Sequence, residues 1–250
     1  MKMINLTNRI YQVGGSMGSG VWGANVFLLI DTPLTLVDTG FRGNTGRIVA
    51  ALRRLGRSPS DIDRIIITHH HADHIGSLAP LKKLTGATVM AHAADAPSID
   101  GREPPPGPSR PRWAGPLMSP LLRIMAPAPV PVDEFLGEGD ELPVLGGIRI
   151  LHMPGHTPGS ICIYIPGERT LLAGDVLNNR RGLGMPSRIF TVDGEQAMDS
   201  IRRIASLDFD RIGFGHGAPI LHDANKVLEA FAKGLESKRR QASQKSRYPT

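Results

Sequence analysis

The chain has 250 residues, of which 40% are hydrophobic and 21% are charged, and its formal net charge is +6 at pH 7. This length and apolar content are sufficient for a large buried core in one domain. The longest apolar run, residues 24–30, is interrupted by Asn25 and is far shorter than the ~20 residues that cross a bilayer. We therefore expect an ordinary globular protein without a membrane span.

The N-terminal residues and the cysteine content bear on the compartment. The first ten residues contain no continuous apolar segment and no small-residue cleavage site, so we expect no secretory signal. The single cysteine, Cys162, cannot form an internal disulfide. It alternates with Ile161, Ile163 and Ile165, which predicts a buried structural thiol. A cytoplasmic protein is the expectation from these features.

The positive charge is concentrated at the C-terminus. Between Lys233 and Thr250 there are six basic residues and one acidic residue, Glu236, so the rest of the chain is close to neutral. No basic stripe of the kind that nucleic-acid binding requires is evident. We interpret residues 236–250 as a solvated basic tail and expect no nucleic-acid or membrane partner. A weak contact with RNA, DNA or a membrane surface is the alternative.

Apolar periodicity and turn residues predict strands and helices in the first part of the chain. The predicted strands are Ile10–Gly14, Val21–Ile30, Leu34–Val37, Arg64–Thr68 and Thr88–Ala91, and the predicted helices are Asn44–Gly56 and Ile75–Leu84. The predicted order is thus hairpins followed by β-α-β-α-β.

A proline-rich insert occupies residues 97–131. It contains eleven of the 21 prolines, which lack the N–H group that helices and sheet interiors need. It also contains apolar residues such as Trp113 that a free linker would not require. Two interpretations stay open: an irregular excursion packed on its own domain, or a lid or homodimer contact beside a functional site.

The second half repeats the pattern of strands followed by helices. The predicted strands are Glu141–Leu145, Gly147–Met153, Ser160–Ile165, Thr170–Ala173 and Arg211–Phe214, and the predicted helices are Gly194–Leu207 and Ala224–Leu235. This order favours two mixed β-sheets packed together with helices outside. We expect residues 1–235 to form a single domain.

The segment T-H-H-H-A-D-H follows the apolar run Ile65–Ile67 directly. In an extended segment, His69 and His71 point the same way and can share one ion, whereas Asp73 and His74 lie around the bend and suit a second. Histidine clusters also occur in tags and metal-buffering tracts, but this cluster is internal and lies at a strand end. The spacing therefore predicts a metal site, with two ions as our interpretation.

Three further candidate ligands follow predicted strands. His156 lies in P-G-H-T-P-G-S, Asp175 follows L-L-A-G, and His216 lies in G-H-G. A single His or Asp of this kind is most often structural. Three of them after apolar strands, each beside a glycine that permits a sharp turn, indicate ligand loops.

Together with the early V-D-T-G, these motifs resemble the metallo-β-lactamase-fold hydrolase superfamily over essentially the whole chain. The resemblance implies an α/β fold, an αβ/βα sandwich of two mixed sheets flanked by helices, with a dinuclear site in the cleft at the sheet edges. It assigns His69, His71 and His156 to the first metal, Asp73, His74 and His216 to the second, Asp175 to both, and Asp38 to support of the site from behind.

Imidazole and carboxylate ligands suit Zn²⁺ first, with Mn²⁺, Co²⁺ and Fe²⁺ as alternatives, and the absence of thiolates argues against a structural zinc site. Seven ligands for two ions leave open coordination positions, and a water between two such ions loses a proton near pH 7. The expected activity is hydrolysis of a lactone, ester or thioester by a metal-bridging hydroxide, with Asp73 and Asp175 as catalytic carboxylates.

Several features narrow the reaction within the superfamily. β-Lactam hydrolases of the superfamily usually lack the residue at Asp175, so its presence weakens the resemblance to them. Diiron oxygen-reducing members typically have Glu where His71 stands, which disfavours that class. Residues 217–250 are too few for the helical domain of typical glyoxalase II enzymes. Lactonases often have Tyr where Asn178 stands. A β-lactam hydrolase and a mono-iron persulfide dioxygenase remain alternatives.

The small-molecule substrate has three candidate contacts outside the ligand set. Arg180 and Arg181 follow Asp175 closely and would receive a substrate carboxylate if they face the cleft, although solvated surface arginines are the more common case. Trp113 in the proline-rich insert is the third, and would suit an acyl chain.

Overall fold

Two β-sheets face each other across a buried core, and helices cover their outer surfaces. The computed structural model describes residues 3–14, 23–104, 109 and 126–247. That part of the chain contains a seven-stranded sheet and a five-stranded sheet. The prediction of two mixed sheets with helices outside is confirmed.

The seven-stranded sheet follows the chain order of the N-terminal half. Its strands are β1 (Met3–Asn5), β2 (Ile10–Val13), β3 (Val26–Leu29), β4 (Leu34–Val37), β5 (Ile62–Ile67), β6 (Thr88–His92) and β7 (Glu134–Leu136). Strands β1 to β4 pair antiparallel and strands β4 to β7 pair parallel. Parallel neighbours need crossover connections, which include helices α1 (Thr45–Arg54), α2 (Ala72–Ile75), α3 (Leu78–Thr85) and α4 (Ala96–Ile99).

The five-stranded sheet is formed by the C-terminal half. Its strands are β8 (Glu141–Leu142), β9 (Ile148–His152), β10 (Ile161–Ile165), β11 (Thr170–Leu172) and β12 (Arg211–Gly213), in the order β12-β11-β10-β9-β8. Helix α5 (Gly194–Ala205) connects the parallel pair β11 and β12, and helix α6 (Ala224–Arg247) follows β12. Short 3-10 turns lie at Pro59–Asp61 and Pro166–Glu168.

The core has three layers because side chains alternate across each strand. In β5, Ile66 faces the other sheet and packs in one cluster with Phe27 and Ile163. Its neighbour Ile65 faces the opposite way, toward the layer that contains the buried residues of α1 and α3. Cys162 is fully buried in the third layer, under α5 and α6, and burial raises the pKa of its thiol. The prediction of a buried structural cysteine is confirmed.

The structure differs from the sequence prediction at several elements. Strands β1 and β7 have only three residues each, too few for a periodic signal. The single helix predicted for Ile75–Leu84 is divided into α2 and α3, and the first ligand motif overlaps α2. Gly76 lies at the division because its Cα approaches the backbone of Phe41 and Arg42, where a Cβ would not fit.

The predicted end of the last helix at Leu235 is also wrong, because α6 continues to Arg247. Residues 236–247 are mostly Lys, Arg, Gln, Ala and Ser without proline, and several of these are strong helix formers. Among the described residues, none of the helices combines the length and apolar content that crossing a bilayer requires.

The proline-rich insert is described at residues 97–104, 109 and 126–131. Its ends belong to the domain core: Ile99 is buried in α4, and Val130 is buried and donates its backbone N–H to the Ile99 carbonyl at 3.0 Å. Trp113 lies outside the described residues. The lid and homodimer interpretations therefore stay predictions.

Candidate metal centre

The candidate ligands meet because each follows a strand at the same end of the two sheets. The histidine motif follows β5, His156 lies between β9 and β10, Asp175 follows β11 and His216 follows β12. The sheets are joined at this end, where Ile161 N–H donates to the Thr68 carbonyl at 3.0 Å. The six residues from His69 to His74 thereby lie beside loops that are about 80 to 150 residues further along the chain.

A change of backbone conformation at His71 separates the motif into two parts. His71 is extended (φ −65°, ψ 147°) and precedes α2. The His74 N–H donates to the His71 carbonyl at 2.8 Å, which closes the helical turn. This turn places Asp73 outside the extended part of the motif, as the spacing predicts. The ring of His74 stays beside that of His69, with their centroids 4.0 Å apart, and His69, His74 and Asp175 form a further group of possible ligands.

The first ligand group consists of His69, His71 and His156, whose ligand atoms lie within 4.8 Å of one another. His71 Nδ1 is 3.0 Å from His156 Nε2. Burial holds the pKa values of His69 and His71 well below the ordinary range and lowers the pKa of His156 to about 4. These imidazoles are therefore neutral at pH 7, which is the form that binds a metal ion.

The second group consists of Asp73, His74 and His216. His216 Nε2 lies 3.0 Å from Asp73 Oδ2. Burial opposes protonation of both histidines, but nearby carboxylates outweigh it, raising the pKa of His74 well above its usual range and the pKa of His216 to about 9. Burial raises the pKa of Asp73, yet His74 and His216 lower it to about 2. Without a metal ion, this group is a set of ion pairs.

Asp175 lies between the two groups. Its Oδ2 is 3.6 Å from His156 Nε2 of the first group and 3.2 Å from His216 Nε2 of the second. Its Oδ1 is 3.5 Å from His74 Nε2. Burial raises the pKa of Asp175, but His216 and His74 hold it well below its ordinary value, so the carboxylate is ionised and faces both groups.

The donor atoms fit divalent metal ions. His69 Nε2, His74 Nε2 and Asp175 Oδ1 are buried and have no hydrogen-bond partner in the described part of the chain. Leaving buried polar atoms unpaired costs about 1–3 kcal/mol each, which metal coordination would remove. Imidazole nitrogens with carboxylate oxygens suit zinc, and also manganese, cobalt and iron.

Asp38 is not a candidate ligand itself but contacts the candidate ligand His74 and the neighbouring residue Thr68. It has a left-handed backbone (φ +58°) and is 1% exposed. Its Oδ2 is 2.7 Å from His74 Nδ1 and accepts from Thr68 Oγ1 at 2.7 Å, while its Oδ1 accepts from the Thr68 N–H. A carboxylate on one imidazole nitrogen orients the other toward a metal ion, so the position of Asp38 agrees with the supporting role expected for it.

Asp95 was not identified from the sequence. It follows β6, is 1% exposed, and joins two ligand loops: its Oδ2 accepts from the His70 N–H at 2.9 Å and from Thr157 Oγ1 at 2.8 Å, and its Oδ1 accepts from the Gly159 N–H at 2.7 Å. These donors raise the stability of the ionised form, and the pKa of Asp95 is lowered despite its burial. The one available signal was a carboxylate shortly after a strand.

A second contact that sequence reasoning missed holds His156. The Thr191 side chain is 7% exposed, and its Oγ1 lies 3.2 Å from His156 Nδ1. The Val192 N–H donates to the His156 carbonyl at 3.2 Å. The segment 187–192 is therefore held beside the first ligand group. It contains no strand or helix, so no periodic sequence pattern indicated this contact.

The histidines His70, His92 and His152 lie outside the ligand groups, and so do Arg180 and Arg181. His70 is buried with its Nδ1 2.9 Å from Asp95 Oδ2, and the rings of His92 and His152 stack at 4.0 Å. Arg180 and Arg181 are exposed on the turn that the Asn178–Gly184 bridge closes. Their contact with a substrate stays a prediction, as does that of Trp113.

Comparison with known proteins gives the class. A family model described as "Metallo-beta-lactamase superfamily" matches residues 19–216, and the chain belongs to this superfamily. It is 30% identical over 226 residues to the probable metallo-hydrolase YflN of Bacillus subtilis, covering 82% of this chain and 85% of that protein. Membership and the cluster of His and Asp side chains define a metallo-hydrolase of the superfamily.

More distant similarities agree with that class. A hydroxyacylglutathione hydrolase of Pseudomonas aeruginosa is 35% identical over 145 residues, which are 57% of this chain and 42% of that protein. A metallo-beta-lactamase family protein of Thermus thermophilus superposes with a TM-score of 0.71 at 26% identity, covering 93% of this chain and 81% of that one. A subclass B3 metallo-beta-lactamase of Bradyrhizobium japonicum, with a TM-score of 0.70 at 24% identity, covers 98% and 95% and shows the shared fold alone.

Proposed function

We propose that this protein is a two-metal hydrolase that cleaves the acyl C–O bond of a lactone or ester, or the acyl C–S bond of a thioester. The observation that carries the proposal is the pair of three-residue ligand groups with Asp175 between them, 3.6 Å from His156 and 3.2 Å from His216. Zinc is the metal that we expect, with manganese, cobalt and iron as alternatives.

The ligand assignment follows the two groups. His69, His71 and His156 would hold one ion, Asp73, His74 and His216 the other, and Asp175 would contact both. Bound divalent ions would polarise the carbonyl and lower the pKa of a bound water toward roughly 7.

The protein's own carboxylates would hold and move the protons. Asp73 is ionised, with a pKa of about 2, and its side chain is 22% exposed against 12% for Asp175. Asp73 is thus the more accessible of the two, and it would accept the proton that the attacking water gives up and pass it to the leaving alkoxide or thiolate. Asp175 would orient the attacking water. No step requires a protein nucleophile, and Cys162 is fully buried.

The relatives support the reaction class. One is named a probable metallo-hydrolase, and several are named hydroxyacylglutathione hydrolases, a name that describes hydrolysis of an acylated glutathione. The chain spans about half the length of the latter proteins, 42–52%. We therefore do not infer that this protein shares their substrate.

The test is turnover of a panel containing a lactone, a p-nitrophenyl ester, an acyl thioester, nitrocefin and a persulfide, before and after chelation. Lactone, ester or thioester hydrolysis that chelator abolishes and added Zn²⁺ restores is the expected result. Turnover of nitrocefin alone would replace the proposal with β-lactam hydrolysis. Oxygen uptake with the persulfide, together with bound iron, would replace it with a dioxygenase.

A further inference from the structure

Exposed apolar side chains are concentrated beside the metal centre. Six large hydrophobic side chains in the described part of the chain are exposed: Leu84, Phe135, Ile189, Phe190, Val192 and Val227. Leu84, Phe135 and Val227 lie singly on α3, β7 and α6, which is ordinary for a protein surface. The other three, which we call the apolar rim, fall within four consecutive residues and are 46–52% exposed.

Phe190, the aromatic residue of the apolar rim, lies beside the first ligand group. The ring centroid of Phe190 is 6.0 Å from that of His71, and the two planes are inclined at 67°. His71 belongs to the first ligand group and is only partly buried. A molecule that reaches this side of the centre therefore meets the Phe190 ring next to it.

The apolar rim is held in place by its polar neighbours. Between Phe190 and Val192, the buried Thr191 contacts His156 Nδ1 and donates its Oγ1–H to the Ser187 carbonyl at 2.8 Å. The Phe190 N–H also donates to the Ser187 carbonyl, at 3.1 Å. Because these bonds fix the backbone relative to His156, the outward direction of the three apolar side chains is built into the site.

Grouped apolar surface that remains in contact with water is unfavourable unless a ligand covers it. Resting on the proposed function, we infer that the apolar rim binds the apolar group of the substrate. The preferred substrates are then carbonyl compounds with a medium-length aliphatic or aromatic acyl group, rather than small polar ones. Phe190 acts as a specificity-determining contact and takes no part in the chemistry.

Binding of the carboxylate products tests this inference without turnover. Octanoate and acetate carry the same head group, so the ratio of their dissociation constants, measured by isothermal titration calorimetry on the purified protein, isolates the contribution of the chain. Each fully buried methylene group increases the binding constant by a factor of about four. If the apolar rim covers part of the alkyl chain, octanoate should bind at least about tenfold more tightly than acetate.

Two variants and one control decide the outcome. Phe190→Ser and the double variant Ile189→Ser/Val192→Ser should each reduce the ratio of octanoate to acetate affinity to about twofold. Phe135→Ser removes another exposed phenyl ring, from the edge strand β7, and should keep the preference. Thermal unfolding midpoints within a few degrees of the unchanged protein would establish that each variant is folded.

The inference is overturned if octanoate and acetate bind equally to the unchanged protein, or if the rim variants keep the octanoate preference. Turnover separates this failure from failure of the proposed function. If all variants hydrolyse p-nitrophenyl acetate and p-nitrophenyl octanoate with the same kcat/KM, the proposed hydrolase activity stands and the proposed role of the apolar rim is wrong. If the unchanged protein prefers octanoate in binding but hydrolyses no ester, lactone or thioester, the apolar rim binds apolar groups and the proposed hydrolase activity is wrong.

Discussion

At the level of single residues, three imidazoles of the centre, those of His69, His74 and His156, are oriented by what the Nδ1 atom contacts. His69 Nδ1 lies 3.1 Å from Thr68 Oγ1, His74 Nδ1 lies 2.7 Å from Asp38, and His156 Nδ1 lies 3.2 Å from Thr191 Oγ1. Both hydroxyls donate their own protons elsewhere, so they accept from the rings. The Nε2 atoms of these histidines are left free to face the ligand cluster.

Asp175 lies within 3.6 Å of both candidate ligand groups, and we expect both metal ions to depend on it. Asp175→Ala should lower kcat/KM by at least about 100-fold, as loss of metal-site residues typically does, and should reduce the metal bound per chain. Plasma mass spectrometry and steady-state kinetics on the same preparation measure both. Asp208→Ala, which removes an exposed carboxylate paired with Arg169, is the control. A fully active, fully metallated Asp175→Ala protein would contradict the assignment.

Asp95 is expected to matter for stability and metal binding together. Asp95→Ala leaves three donors on two ligand loops without an acceptor, and loss of a buried charged acceptor costs roughly 3–5 kcal/mol. Asp95→Asn keeps one acceptor oxygen and should cost less. Urea unfolding and zinc content provide the readouts. A change of less than about 1 kcal/mol in Asp95→Ala, with full zinc content, would show that the loops do not depend on this residue.

At the level of elements, the centre depends on how closely helix α5 packs on the loop that carries His156. Gly155 has φ +128°, and a Cβ there would overlap the backbone of Ala197 in α5. The Asp193 N–H donates to the Gly155 carbonyl at 2.9 Å, and Ser200 Oγ donates to the Pro154 carbonyl at 2.7 Å. Helix α5 therefore fixes the position of the loop that carries His156.

Gly155→Ala should destabilise the protein by about 2–4 kcal/mol and weaken zinc binding, because the loop and α5 must separate. Gly182→Ala is a matched control: Gly182 also has a positive φ, +99°, but open space surrounds its Cα, so only backbone strain of about 1 kcal/mol is expected. Chemical unfolding and zinc affinity are compared between the two. Equal effects would mean that the contact with α5 has no role in positioning His156.

The same elements show what a sequence can and cannot predict. Ligands such as His156 and His216 were identifiable because each follows an apolar strand and lies beside glycine, a local signal. Asp95, Thr191 and the apolar rim were not, because their roles arise from contacts with residues 25 to 119 positions away along the chain. Only tertiary packing brings such residues together, and local propensity does not indicate it. The division of the predicted helix at Gly76 has the same cause, a close approach to Phe41.

For the whole molecule, the clustered charges couple folding, pH and metal binding. In the metal-free protein, the pKa of His216 is raised to about 9 by Asp175 and Asp73. A raised folded-state pKa contributes stability that is fully present below the ordinary value of 6.5 and is lost as pH rises through about 9. A metal ion must displace the same proton, so its stabilising effect grows over that range.

The thermal unfolding midpoint of chelator-treated protein should therefore fall between pH 6.5 and 9, while the gain from one added excess of Zn²⁺ increases. His216→Ala should flatten both trends. Scanning calorimetry at three pH values is sufficient. A metal-free midpoint that rises over this interval, or a zinc gain that shrinks, would be inconsistent with ion-paired histidines in the second group.

The most direct test of the central claim, a hydrolase that needs two ions, is a zinc titration of metal-free protein followed by hydrolysis of an activated ester or lactone. The account predicts that turnover rises until about two equivalents of zinc are bound per chain, and that Asp73→Ala saturates near one equivalent with little turnover. Full turnover at one equivalent, or none at any zinc level across the substrate panel, would contradict it.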